Sequence, residues 1–215
     1  MAAELIWRGL ANGAVILAIV WVFRRRGQRA AGLLAALPVL SAPALFTLSV
    51  DHSPTFAAAA AVAGLHATGL TALLLLLYGA LWRRVGGAPA LLLSGAGTLL
   101  AAGLTRRIDH AFVPALTLTL LVVVIARCHL PRVAPGGSMC RFLRGYLDGL
   151  LVRCTFLAVL ATTLVPLGGW LAFPLAVLAA IATLSAIGTL RRGASPTQGC
   201  GVAEGGSATT LAERS

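Results

Sequence analysis

The chain has 215 residues, 59% of them hydrophobic and only 11% charged, and its 17 basic residues, all arginine, against six acids give a net charge of +11. A soluble domain carries about 25% charged residues, so this composition excludes a globule clothed for water. It also argues against a nucleic-acid partner. The arginines sit at the ends of apolar runs, where membrane proteins carry topology signals, and form no stripe along one soluble face.

A helix needs about 20 mostly apolar residues to cross ~30 Å of hydrocarbon. On that measure the sequence predicts an all-α, polytopic transmembrane bundle of about seven spans in residues 1–192. The first span covers 5–23 and stops at Arg24, Arg25 and Arg26. Glu4 precedes it and the arginines follow it, the reverse of a secretory leader, so it reads as an uncleaved span. The second covers 30–50 and contains Pro38 and Pro43, and Asp51-His52-Ser53-Pro54 makes a short polar turn after it. The third, 56–82, is long enough to tilt and ends at Arg83 and Arg84. The fourth, 88–104, and the fifth, 111–126, enclose Arg106, Arg107, Asp109 and His110. A polar loop at 127–144 leads to the sixth, 147–165, and Pro166-Leu167-Gly168-Gly169 connects it to the seventh, 170–190. Residues 193–215, rich in Gly, Ser, Thr and Ala, are expected to form a disordered cytoplasmic tail.

Arginine placement predicts orientation. With the N-terminus outside, thirteen arginines fall on the cytoplasmic side and three (Arg8, Arg106 and Arg107) on the other, with Arg153 inside a span. Positive charge resists translocation, so this favours an outside N-terminus and a cytoplasmic C-terminus.

Among local features the proline pair stands out. Pro38 and Pro43 each lack a backbone donor and crowd the preceding turn, and carbonyls freed in lipid must meet protein or a wet cavity. Such a break either kinks a helix for packing or lines a solute path, as in many transporters. Ser41 can supply a hydroxyl there. Polar groups at depth are few: Asn12 in the first span and His66 in the third. Ser41 and His66 fall at similar depth on either side of the 51–54 turn, so Pro38, Ser41, Pro43 and His66, with Asn12 as a further wall, form the candidate site. Asp148 and Arg153 flank the start of the sixth span, where they can snorkel to the interface or pair with each other.

No catalytic residue is expected. The chain has no G-x-S-x-G, H-E-x-x-H or G-x-x-x-x-G-K-[ST], and Asp51-His52-Ser53 reads as a turn, since adjacent residues do not converge on one bond. Cys128-His129 with Cys140 lacks zinc-site spacing, so no metal or cofactor is expected, and no structural disulfide. Small residues recur at helical spacing, in Gly145 and Gly149 and in Ala57, Ala60, Ala61, Gly64 and Thr68. They suit close packing, within the chain or in oligomers.

The first helix, the arginine cluster and the run AGLLAALPVLSAPALF at 31–46 together resemble the GlpM-like group of small bacterial inner-membrane proteins and related polytopic proteins of unknown function. The resemblance covers residues 1–82. It implies a multi-pass bacterial inner-membrane protein and carries over no catalytic residues. A faint partial inverted repeat is also suggested: Gly169-Trp170-Leu171-Ala172-Phe173-Pro174-Leu175 echoes residues 32–39 with one residue deleted, across an odd number of spans. Two function classes follow. One is a small transporter or channel-like component acting on an unidentified small solute; the other is a non-transporting membrane scaffold or regulatory subunit. In both, the lipid bilayer is the constant partner.

Overall fold

The computed structural model describes residues 17, 21, 24, 25, 27–38, 41–105, 112–133 and 138–192. These are helical throughout, apart from short turns, with no strand among them. In chain order the helices are α1 (Gln28–Ala36), α2 (Ser41–Asp51), α3 (Pro54–Val85), α4 (Gly87–Thr105), α5 (Phe112–Val133) and α6 (Ser138–Arg192). Of the expected first span only Leu17 and Trp21 are described, with Arg24 and Arg25 just after it, and all four are helical. Asn12 and the 193–215 tail lie outside the described residues.

Five segments are long and apolar enough to cross a membrane: Gln28–Asp51, Pro54–Trp82, Gly87–Thr105, Phe112–His129 and Arg141–Thr189. The sequence predicts seven spans; the described residues hold five such segments. The first span lies largely outside the described residues, and the sixth and seventh run together without an intervening loop. The surface is apolar, as a lipid-facing wall requires: Leu92 is 75% exposed and Trp170 81%. Apolar area on this scale is foreign to a soluble monomer.

The 55-residue α6 is not one straight rod. Gly168, with φ 70° and ψ 167°, breaks its helical backbone. The Phe156 and Phe173 rings, seventeen residues apart, have centroids 6.5 Å from each other. A straight helix would separate those positions by about 25 Å, so the chain folds back at Gly168. Gly86, between α3 and α4, has nearly the same backbone, φ 81° and ψ 178°. This region of φ and ψ is open essentially to glycine alone. One residue thus does the work of a loop, and hydropathy stays high across it.

The core lies between α3 and the first half of α6. Leu65 and Thr68 of α3 and Leu147, Leu150, Phe156, Leu157, Leu160 and Leu164 of α6 are fully buried. Among the described residues, twelve of the 24 buried apolar side chains are alanine. That matches association in lipid, where small residues let backbones approach and hydrophobic burial adds no drive. Ala172, Ala176 and Ala180 place such a stripe on the returning half of α6. Thr119 of α5 donates from Oγ1 to the Leu65 carbonyl at 2.9 Å, cross-linking α5 to α3 where Gly69 leaves room.

The helices α1 and α2 run parallel to the first half of α6. At one end, a Cβ on Gly145 would overlap the Arg29 carbonyl, and one on Gly32 would overlap the Phe142 carbonyl. Further along, Gly149 faces the Leu33 carbonyl and Ala36. At the far end Gly169 faces Ser49, and Phe46 meets Trp170 and Phe173 edge to face. The Gly145 and Gly149 face is therefore occupied within the chain. The suggested repeat does not extend to local structure. The chain leaves the helix at Leu37 and Pro38, whereas Pro174 stays inside α6.

Candidate functional site: a broken helix and a buried carboxylate

The segment 28–51 is broken at one proline, not two. Leu37 takes φ −62° and ψ 151°, the extended state that a following proline imposes by clash with its ring. Pro43 interrupts nothing. It is the third residue of α2, in a first turn whose N–H groups have no intrahelical acceptor to lose. Pro38 thus separates two half-helices, and its carbonyl accepts from the Ala42 N–H at 2.9 Å.

Ser41 follows the break. Its Oγ is buried and has no hydrogen-bond partner among the described residues. Elsewhere the helices satisfy their hydroxyls locally, Thr68 donating to the Gly64 carbonyl at 2.7 Å and Thr163 to Val159 at 2.7 Å. A capping bond two residues on is closed to Ser41, because Pro43 has no N–H.

His66 lies half-buried on α3, its Nδ1 3.2 Å from the Val62 carbonyl one turn earlier. Ser53 caps α3, accepting from the Phe56 N–H at 3.1 Å, with Pro54 at the first helical position. His52 and Ser53 thus make the turn between helices, after Asp51 ends α2, with His52 stacked on Phe56. Counted from Ser53, Ser41 and His66 stand about 18–20 Å along their helices, which keeps them at comparable depth. No hydrogen bond joins them, since Ser41 Oγ has no described partner.

A second polar centre forms around Asp148, at the end of α1, α5 and α6 marked by Arg29 and Arg127. Asp148 on α6 has its side chain only 5% exposed; it accepts from Arg127 Nη1 of α5 at 2.9 Å and pairs with Arg29 Nη2 of α1 at 3.8 Å. Arg144, one turn earlier on α6, also acts on it electrostatically. A lone carboxylate at this depth would be costly in lipid, and the two guanidinium groups compensate it. Their own side chains are 51% (Arg29) and 39% (Arg127) exposed. The one available signal was that Asp148 is the single acid inside an apolar stretch; its partners lie far away in the chain, on α5 and α1. The suggested Asp148–Arg153 pairing is not what forms. Arg153 Nε is buried without a hydrogen-bond partner among the described residues.

No protein-family model, curated protein or solved structure matches the chain.

Proposed function

We propose that the chain is a small multi-pass protein of the bacterial inner membrane, related to the GlpM-like group, acting as a transporter or channel-like component for a small solute. One observation carries this reading: a helix is broken at Leu37 and Pro38 beside the buried, unpartnered Ser41 hydroxyl. Half-helix ends at membrane depth leave backbone groups facing protein or water, and transporters use such ends to bind polar solutes. Ser41 and His66, at comparable depth, are the side chains this path would use, with the Pro38 break as its wall and Asn12 as a further one.

The proposal includes seven spans, an outside N-terminus and a cytoplasmic C-terminus. Counting 5–23 as a span and dividing α6 at Gly168 gives that number. The meeting of Arg29, Arg127 and Asp148 supports the alternation, because it joins the start of the second span to the end of the fifth and the start of the sixth.

The alternative is a non-transporting scaffold or regulatory subunit. It is favoured by the pairing of Asp148 with two arginines, which leaves the carboxylate committed to structure. Thiol accessibility separates the two without knowledge of a solute. In a cysteine-free background, Ser41→Cys and His66→Cys should react with a membrane-impermeant thiol reagent, while the lipid-facing Leu92→Cys should not. Protection of the new thiol in both the Ser41→Cys and His66→Cys variants, under all conditions, would favour the scaffold.

A further inference from the structure

Around Asp148 the charges do not balance. Among the described residues, Arg29, Arg127 and Arg144 surround one carboxylate at the same end of the bundle, an excess of two positive charges among these four groups. Arg29 and Arg127 remain substantially exposed while paired, so donor groups are left over: a guanidinium offers five N–H donors, more than one carboxylate can accept. All of these arginines stand at the margins of apolar segments, Arg29 next to the start of Gln28–Asp51, Arg127 near the end of Phe112–His129, and Arg144 near the start of Arg141–Thr189. Below Arg127 on the same helical face, Leu120 and Val124 are exposed.

This arrangement has two chemically different parts, a forked cationic rim and an apolar strip running away from it into the hydrocarbon. We propose that this corner, between α1, α5 and the start of α6, binds an anionic phospholipid, its phosphate on Arg29, Arg127 and Arg144 and an acyl chain along Leu120 and Val124. Charge complementarity selects the headgroup, since a phosphate neutralises the excess that Asp148 leaves and accepts the paired N–H donors of arginine. The adjoining apolar strip selects a lipid over a free anion. Asp148 sets the strength of the site by holding two of the arginines in place and cancelling part of their charge.

Native mass spectrometry of the full chain with equimolar phosphatidylglycerol and phosphatidylcholine tests the site. Phosphatidylglycerol should predominate among retained lipids. Arg144→Gln, which leaves both Asp148 pairs intact, should cut that preference about five-fold, the weight of one interfacial arginine. Arg144→Lys should keep most of it. Asp148→Asn should move the preference the other way, because it removes the competing negative charge. A thermal melt of each variant identifies any that fail to fold, and Arg29→Gln then replaces Arg144→Gln. Equal retention of the two lipids overturns the proposal, as does a preference unchanged in all the folded variants. Stabilisation by inorganic phosphate in phosphatidylcholine nanodiscs, equal to that given by phosphatidylglycerol, would assign the site to a soluble anion and also overturn it.

Discussion

Arg127 and Asp148, 21 residues apart in the chain, meet at 2.9 Å between α5 and α6. The two partners are unequal. Asp148 is enclosed, whereas Arg127 reaches solvent or headgroups along part of its length. Removing the arginine takes from a buried carboxylate its nearest described partner, so Arg127→Gln should destabilise the protein by about 1–3 kcal/mol. Removing the acid leaves an arginine that can snorkel outward, so Asp148→Asn should cost less. The double variant should be more stable than Arg127→Gln alone, because no buried carboxylate charge is left short of its partner. Thermal unfolding in detergent across the four proteins measures this. Additive losses would show that the pair carries no coupling.

Close backbone approach makes a sharper prediction. A Cβ on Gly145 would run into the Arg29 carbonyl, and one on Gly149 would stand 2.7 Å from the Leu33 carbonyl and 2.6 Å from the Ala36 Cβ. Backbone cannot swing aside as a side chain can. Gly145→Ala and Gly149→Ala should each cost about 1–3 kcal/mol, the range for overpacking. Gly95 on α4 meets nothing within 4 Å. Gly95→Ala should be neutral or stabilise by up to about 1 kcal/mol, since alanine restrains the unfolded chain. Melting temperatures of the three variants check this; equal effects would contradict the α1–α6 contact.

Much of this architecture was legible in the sequence, and the gaps have physical causes. Hydropathy located the segments at 56–82 and 88–104 because lipid imposes a length, and the 51–54 turn was announced by polar residues next to a proline. The reversal at Gly168 was harder. Its chemistry is a missing Cβ, which hydropathy does not register. The two prolines of the second span look alike in one dimension, yet only Pro38 interrupts the helix, because Pro43 lies in a first turn with no bond to break. Tertiary ties such as Arg29 to Asp148 leave no local pattern, so the sequence exposed the buried acid and hid its partners.

Gly168 and Gly86 should behave as a matched pair. At both, a Cβ would meet nothing within 4 Å, so any cost of substitution is conformational. Their φ and ψ fall in the glycine-only region, where a side chain costs about 1–3 kcal/mol. Gly168→Ala and Gly86→Ala should therefore each lower stability by that amount. Reporter fusions placed at Gly168 and at Arg192 should lie on opposite sides of the membrane. Fusions on the same side would mean that the returning half of α6 does not cross.

Ser41 and Thr119 offer the contrast that bears on function. Thr119 Oγ1 makes an interhelical bond to the Leu65 carbonyl, and such bonds in membranes contribute about 0.6 kcal/mol on average. Thr119→Val keeps the shape and removes the donor, so it should lower stability by about that much. Ser41 Oγ is buried without a described partner, and an unpaired hydroxyl costs about 1–3 kcal/mol to hold out of water. Ser41→Ala should therefore leave the protein as stable as before or more so, despite deleting a polar group. Local rules broken without a compensating gain are expected at functional sites, and the solute path proposed past the Pro38 break is such a site. If Ser41→Ala instead destabilises the protein by about 1 kcal/mol or more on thermal unfolding in detergent, the size of a satisfied hydrogen bond, the hydroxyl is structural, and the path loses its central polar group.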